Sequence, residues 1–333
     1  MAAVSAKRTL TVLRETFPIQ GTFRISRGAK TEAHVVVAEI SDGGVVGRGE
    51  CVPYARYGES LDGVVEQIES VAAAIGAGME QEELLSALPP GAARNAVDCA
   101  LWDLACKLTG QPIWEVADLD APLEPVVTAY TLSLDTVENM AAAAKASSRR
   151  PLLKLKLTGD GDLERVRAVR ENAPDARLIV DANEGWTVEH LKRFGDAFAE
   201  LRVELIEQPL PAGQDDALFG VECPVPLGAD ESCHDRGTLD KLRGKYQVVN
   251  IKLDKTGGLT EALRLKADAE DAGFRIMVGC MLASSLAMAP GVVIAQGADL
   301  VDLDGPLWLA RDRSPGLRYE GETVYPPEAA LWG

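Results

Sequence analysis

Histidine, paired cysteine, basic charge and long apolar runs are all scarce in this 333-residue chain, and each scarcity removes a class of function. Three histidines, His34, His190 and His234, stand outside any motif, which gives histidine-based acid–base chemistry little support. Six cysteines (Cys51, Cys99, Cys106, Cys223, Cys233 and Cys280) form no CxxC pair, and Cys233-His234 is the one Cys-His dipeptide. Reduced, mostly buried thiols fit that pattern better than a disulfide framework or a zinc site. No run reaches the roughly 18 apolar residues of a membrane span. The N-terminal MAAVSAKRTL carries a basic pair but no apolar stretch suited to a signal peptide. With 34 basic against 51 acidic residues the formal charge is −17, a surface that repels phosphate backbones and argues against nucleic acid as a partner. The expectation is a soluble cytoplasmic protein, and a hydrophobic fraction of 47% is enough for a sizeable core.

The first third reads as an α+β module. Residues 8–15, 33–41 and 45–52 have strand character, the last two separated by the turn Ser41-Asp42-Gly43-Gly44, and helical patterns follow at 60–76, 80–88 and 92–109. From Pro125 the pattern alternates. Strand-like runs occur at VVTAYTLSL, LLKLKL, RLIVDAN, VELIEQP, PLGADES, QVVNIKLDK, RIMVGC and LVDLDGP, with helical stretches such as Leu163–Asn172, Val188–Leu201 and Leu259–Ala272 between most of them. Eight strands and seven intervening helical segments predict a (β/α)7β barrel resembling a TIM barrel without its final helix. A doubly wound open sheet is the alternative, but no Gly-rich dinucleotide fingerprint follows any strand. The domain limits expected are an N-terminal capping module over 1–120 and a barrel over 121–307. The tail from about 308, with Trp308 and Trp332, is expected to pack back on the cap.

Charged residues fall at the C-terminal ends of the predicted strands, where barrels of this type carry their sites. Lys154 and Lys156 lie two apart, so both side chains point the same way. Leu153, Leu155 and Leu157 take the alternate positions and face the helices, which turns the lysines into the barrel. An interior cation is costly without a carboxylate or a use. Asp181 in DAN, Glu207 in EQP and Asp230 in ADES end three successive strands, about one βα repeat apart. One such acid could cap a helix. Three hard oxygen donors at one rim suit Mg²⁺ with room for water and substrate. Lys252 and Asp254 repeat the spacing of two on the sixth strand, and Asp302 and Asp304 on the eighth.

With KxK, the DAN, EQP and ADES acids and KLDK in place, the chain resembles the muconate-lactonizing-type subgroup of the enolase superfamily. The DxD of the eighth strand narrows the likeness to its dipeptide epimerases, and the similarity runs from GECVPYARYGES through GAARNAVDCALWDLA and NIKLDKTGGLTEA to ADLVDLDGPLWLA. The resemblance implies Mg²⁺ on Asp181, Glu207 and Asp230, acid/base catalysis by Lys156 and Lys252, and Lys154 beside the substrate carboxylate. It also implies that Asp302 and Asp304 take the dipeptide's free ammonium. Thr131, Cys280 and Met281 match substrate-lining positions. A segment around Arg24–Gly28 resembles a mobile flap, in which Arg27, or else Arg24, would pair with a glutamate side chain.

The implied reaction is a 1,1-proton transfer interconverting L-Ala-L-Glu and L-Ala-D-Glu, with peptidoglycan recycling as its setting. A free lysine, with a pKa of about 10.4, is no base at neutral pH. Cationic neighbours and partial burial are expected to lower it to roughly 7–8, where it both accepts and donates protons. Alternatives are another enolate-forming reaction of the same superfamily (N-acylamino acid racemisation, cycloisomerisation, dehydration), a metal-free Schiff-base aldolase, and a non-catalytic binding barrel. A homo-oligomer is compatible with this barrel class.

Overall fold

The computed structural model describes residues 8–333; Met1–Lys7, most of the stretch read for a leader, lie outside the described residues. Three antiparallel strands, β1 (Thr9–Ile25), β2 (Gly28–Asp42) and β3 (Val45–Cys51), open the chain. They run longer than the sequence pattern predicts. The β1–β2 ladder continues past a register shift between Pro18 and Phe23 and pairs Phe23 with Lys30, Arg24 with Ala29 and Ile25 with Gly28. The segment expected as a mobile loop at 24–28 is therefore the tip of a hairpin.

Helices α1 (Leu61–Ser70), α2 (Ala72–Gly76), α3 (Gln81–Ala87), α4 (Ala92–Thr109) and α5 (Ile113–Val116) follow. The alanine-rich α4 lies directly on β3. A Cβ on Gly47 would fall 2.2 Å from the Ala100 carbonyl oxygen, and one on Gly49 2.1 Å from that of Ala96, so glycine is what lets the helix approach. Gly110, in the left-handed region, ends α4 by donating its N–H to the Cys106 carbonyl. Trp332 of the tail is fully buried and donates Nε1–H to the Cys99 carbonyl.

The run expected as the first barrel strand divides in two. Val126–Val127 (β4) joins a small antiparallel sheet with Tyr319–Glu320 (β13) and Thr323–Val324 (β14). Tyr130–Leu132 (β5) begins the barrel proper. It continues with β6 (Leu152–Lys156), β7 (Arg177–Asp181), β8 (Val203–Glu207), β9 (Leu227–Ala229), β10 (Val248–Ile251), β11 (Arg275–Gly279) and β12 (Leu300–Asp302), each parallel to the next. The ring closes where the Ala129 N–H donates to the Val301 carbonyl and the Leu303 N–H to Thr128 Oγ1, both at 2.7 Å. Helices α6 (Val137–Ala146), α7 (Asp162–Asn172), α8 (Val188–Glu200), α9 (Leu239–Leu242), α10 (Leu253–Thr256), α11 (Leu259–Asp271) and α12 (Ser285–Ile294) fill the crossovers. Between β8 and β9 there is only a 3₁₀ turn, Asp215–Leu218, because Pro209, Pro211, Gly213, Gly220, Pro224 and Pro226 leave no room for a regular helix.

Ala129, Leu152, Ile179, Leu205, Val248, Met277 and Leu300 form a separate buried layer inside the ring. It closes the barrel interior below the charged residues.

Candidate active site

Strand alternation and register together assemble the site. Leu153 and Leu155 sit in the apolar cluster with Met140 and Val166 of the surrounding helices, and that directs Lys154 and Lys156 inward, both buried. Lys156 is opposite Asp181 on β7, and Asp181 opposite Glu207 on β8. Asp230 follows directly after β9. Each of Asp181, Glu207 and Asp230 offers a carboxylate oxygen within 4.8 Å of the others, and all three are buried.

The surroundings hold these acids in place. The Asn183 N–H and Nδ2–H donate to the two oxygens of Asp181, at 2.9 and 3.1 Å. Asn250 Nδ2–H donates to Glu207 Oε1 at 2.7 Å. Lys255, fully buried, donates to the Asp230 carbonyl, to Asp230 Oδ1 and to the Asn250 carbonyl. Glu207 Oε2 lies 2.7 Å from Lys154 Nζ but outside hydrogen-bonding geometry, so this buried oxygen accepts no hydrogen bond. Burial and the charge of Asp181 push Glu207 up to about 7. Three converging hard oxygens, one of them without a donor and all repelling one another, fit a small divalent cation.

The lysines stand around this cluster. Lys154 Nζ is 2.7 Å from Asp302 Oδ2 and 3.4 Å from Asp181 Oδ2. Lys156 Nζ donates to Asp181 Oδ2 and Lys252 Nζ to Asp230 Oδ2, each at 2.6 Å. Lys156 is on the second barrel strand and Lys252 directly after the sixth, so the eight-stranded ring places them on opposite walls. The expected lowering of Lys252 is not found. Burial is the largest single influence and acts downward, but the carboxylates of Asp230, Glu207 and Glu231 together outweigh it and hold the ammonium above its usual value. For Asp181, burial acts upward, yet Lys156 and Lys154 bring it down to about 2.

A cavity of about 560 Å³ opens above the cluster, walled by barrel residues below and by the hairpin and Pro53–Tyr57 of the cap above. Thr131, Cys280, Met281, Asp302 and Asp304 all line it. Asp304 accepts the Thr131 N–H, and burial with the charge of Asp302 pushes it up to about 7. Asp302 Oδ1 is buried without a partner. Asp254 departs from its expected place. The chain turns into α10 after Lys252, and Asp254 faces the cap, where it accepts the Val52 N–H and Asn95 Nδ2–H.

The flap arginines also differ from expectation. Arg24 is exposed, is absent from the cavity wall, and is anchored through its backbone N–H to Ser133 Oγ. Arg27 lines the cavity, but its guanidinium is already bonded to Glu231, Glu184, Tyr54 and the Asn183 carbonyl. Lys30, which sequence reasoning passed over, lines the cavity beside the Tyr54 ring; burial lowers its pKa and no carboxylate offsets that. Asn250 was also missed, although its position two before Lys252 in an apolar strand marks it as facing inward.

Residues 7–117 match the model for the mandelate racemase / muconate lactonizing enzyme N-terminal domain, and residues 136–329 match the enolase C-terminal domain-like model. The chain is 47% identical to an L-Ala-D/L-Glu epimerase of Escherichia coli (strain K12), over 94% of this chain and 98% of that one. It is 46% identical to an N-acetyl-D-glutamate racemase of a Pseudoalteromonas species, over 90% and 95% respectively. A solved structure of an enolase family member from Agrobacterium tumefaciens, with homology to dipeptide epimerases, superposes with a TM-score of 0.96. The two chains are 54% identical, the match covers 98% of this chain and 100% of that one, and the other structure holds sodium, L-Ala-L-Glu and an ordered loop.

Proposed function

The chain belongs to the mandelate racemase / muconate lactonizing enzyme family of the enolase superfamily, and from that membership we propose that it is an Mg²⁺-dependent dipeptide epimerase interconverting L-Ala-L-Glu and L-Ala-D-Glu. One observation carries the reading: two buried ammonium groups on opposite walls of the barrel, each bonded to a different carboxylate of one acidic cluster.

In this reading Asp181, Glu207 and Asp230 hold the cation. When bound, it offsets the second negative charge that develops on the substrate carboxylate and competes with the lysines for the acids. Lys154 adds a fixed positive charge at the same place, and this kind of preorganised stabilisation is usually the largest catalytic contribution. Lys156 and Lys252 exchange roles with the direction of reaction. One takes the α-proton, leaving a planar enediolate, and the other returns a proton to the opposite face. Delivery from the far wall inverts the carbon; return from the same wall would not. Asp302 and Asp304 receive the free ammonium of the dipeptide. Lys30, a cavity-wall cation with no carboxylate beside it among the described residues, takes the glutamate side chain, because both terminal nitrogens of Arg27 are already committed to other partners. Thr131, Cys280 and Met281 shape the remaining wall. Peptidoglycan-derived dipeptides in the cytoplasm are the setting we propose, and six unpaired cysteines suit a reducing compartment.

A second reading, racemisation of N-acetylglutamate, is favoured by the similarly close racemase relative. The two acids at 302 and 304 separate the readings, since an N-acetyl group brings no ammonium to them. The test is incubation with each substrate and Mg²⁺ in D₂O. Incorporation of one deuterium into both epimers of Ala-Glu, lost with EDTA and at least about tenfold slower with N-acetylglutamate, supports the dipeptide assignment. Faster exchange of N-acetylglutamate would reverse it.

A further inference from the structure

The tip of the β1–β2 hairpin belongs to the cap, yet most of its polar partners belong to the barrel. Arg27 Nη1–H donates to the Asn183 carbonyl at 2.7 Å and to Glu184 Oε2 at 3.1 Å. Its Nη2–H donates to Glu231 Oε1 at 2.7 Å and to the Tyr54 hydroxyl at 3.1 Å. The neighbouring Ser26 Oγ–H donates to the same Asn183 carbonyl at 2.9 Å. These partners adjoin the acidic cluster. Asn183 holds both oxygens of Asp181, and Glu231 follows Asp230, with its Oε2 buried and unpartnered.

The loop that Arg27 grips is also an unusual one. Asn183 and Glu184 are consecutive non-glycine residues at φ 44° and 67°. Such a conformation persists only where several contacts impose it. Here they come from Ser26 and Arg27 on the hairpin, from Arg56, which binds Glu184 with two bonds of 2.7 and 2.6 Å, and from the barrel itself. There the Glu184 N–H donates to the Gln208 carbonyl at 2.9 Å and Glu184 Oε1 accepts the Ala212 N–H at 2.8 Å. Remove the hairpin tip and the Asn183 carbonyl loses both of these cap donors, while Glu231 is left as a buried, unpaired carboxylate beside Asp230.

We infer that Arg27 is a positioning residue that couples closure of the hairpin to cation binding by Asp181, Glu207 and Asp230. The inference rests on the proposed role of those three acids as ligands. One guanidinium grips the two loops that carry the first and third of them, so it favours the loop geometry in which their carboxylates converge. Linkage makes the effect mutual: whatever closure adds to cation affinity, the cation adds to closure. The planar fork of arginine suits this bridge, since it reaches a carbonyl and a carboxylate with separate nitrogens.

The test compares the wild type with Arg27→Gln, Glu231→Gln and the double variant, using Mg²⁺ titration calorimetry and backbone amide exchange over residues 20–30. In the wild type, Mg²⁺ should slow exchange in the hairpin. Arg27→Gln should weaken Mg²⁺ binding about tenfold and make hairpin exchange indifferent to Mg²⁺. Adding Arg27→Gln to Glu231→Gln should weaken binding further by much less than tenfold, since the main bridge is already gone. Should Arg27→Gln prove unstable, Glu231→Gln alone must still reduce the Mg²⁺ dependence of hairpin exchange. Turnover of dipeptides with acidic and with neutral C-terminal residues should fall by the same factor in Arg27→Gln. Mg²⁺ affinity within twofold of wild type, with hairpin exchange still Mg²⁺-dependent, would overturn the coupling. A loss confined to acidic dipeptides would also overturn it and return Arg27 to substrate recognition. Failure of the wild type to bind Mg²⁺ at all would remove the ligand assignment and the coupling together.

Discussion

Lys30 and Arg27 illustrate how residue roles depend on partners that spacing does not reveal. Both are cap cations near the cavity, and the family resemblance favours the arginine because it falls in the segment that resembles a flap. The structure commits Arg27 to Glu231, Glu184 and two oxygens of its surroundings, and leaves Lys30 beside an aromatic ring with no acid to neutralise it. A charge-assisted bond to a substrate carboxylate is worth about 2 kcal/mol, or about thirtyfold. Lys30→Ala should therefore lower kcat/KM for L-Ala-L-Glu by about that factor, mainly through KM, and change it little for a dipeptide ending in a neutral residue. Equal losses on both would assign Lys30 a structural role. Lys154 and Lys156, by contrast, were legible in the sequence, because leucines on either side fixed which way they faced. Lys255 was not. It lies in a short helix after β10, and its grip on Asp230 depends on a turn the pattern did not predict.

Elements meet at Asp254, and their contact gives the molecule a pH dependence. This side chain on α10 accepts from Val52, just beyond β3, and from Asn95 on α4, with no cation beside it in that bonding. Burial pushes its carboxyl up to about 7. An aspartate in the unfolded chain titrates near 3.9, so the native state binds this proton more tightly. The resulting stabilisation is complete below the unfolded value and is lost as pH rises through the folded one. Asp254→Asn imitates the protonated acid and keeps an oxygen for both donors. Between about pH 5 and about pH 8 the wild type should lose on the order of 2–3 kcal/mol more stability than the variant, as measured by urea unfolding. Parallel losses would show that this carboxyl is not protonated in the native state. Sequence reading put Asp254 on the sixth strand beside Lys252. It failed because apolar alternation marks where a strand could continue and not where the chain turns away.

At the scale of the molecule, the barrel was legible because eight apolar runs recur with helical stretches between most of them, and the parallel order follows from that alternation. The hairpin's reach over the site was not legible. The largely polar, glycine-containing sequence from Gly21 to Lys30 shows only the short apolar alternation of Phe23 and Ile25, and its position over the site comes from its own ladder together with contacts to Tyr54 and to the barrel. The ring also underlies the proposed chemistry, since Lys252 follows the strand four places round the eight-stranded ring from that of Lys156, which sets the two side chains on opposite walls. The direct test of that opposition uses Lys156→Ala and Lys252→Ala, each with L-Ala-L-Glu and L-Ala-D-Glu in D₂O with Mg²⁺. Each variant should lose epimerisation by at least about a thousandfold. Each should still exchange the α-proton of one epimer, and the two variants should differ in which. Near-wild-type epimerisation by either variant, or exchange of the same epimer by both, would contradict the account of two bases on opposed faces.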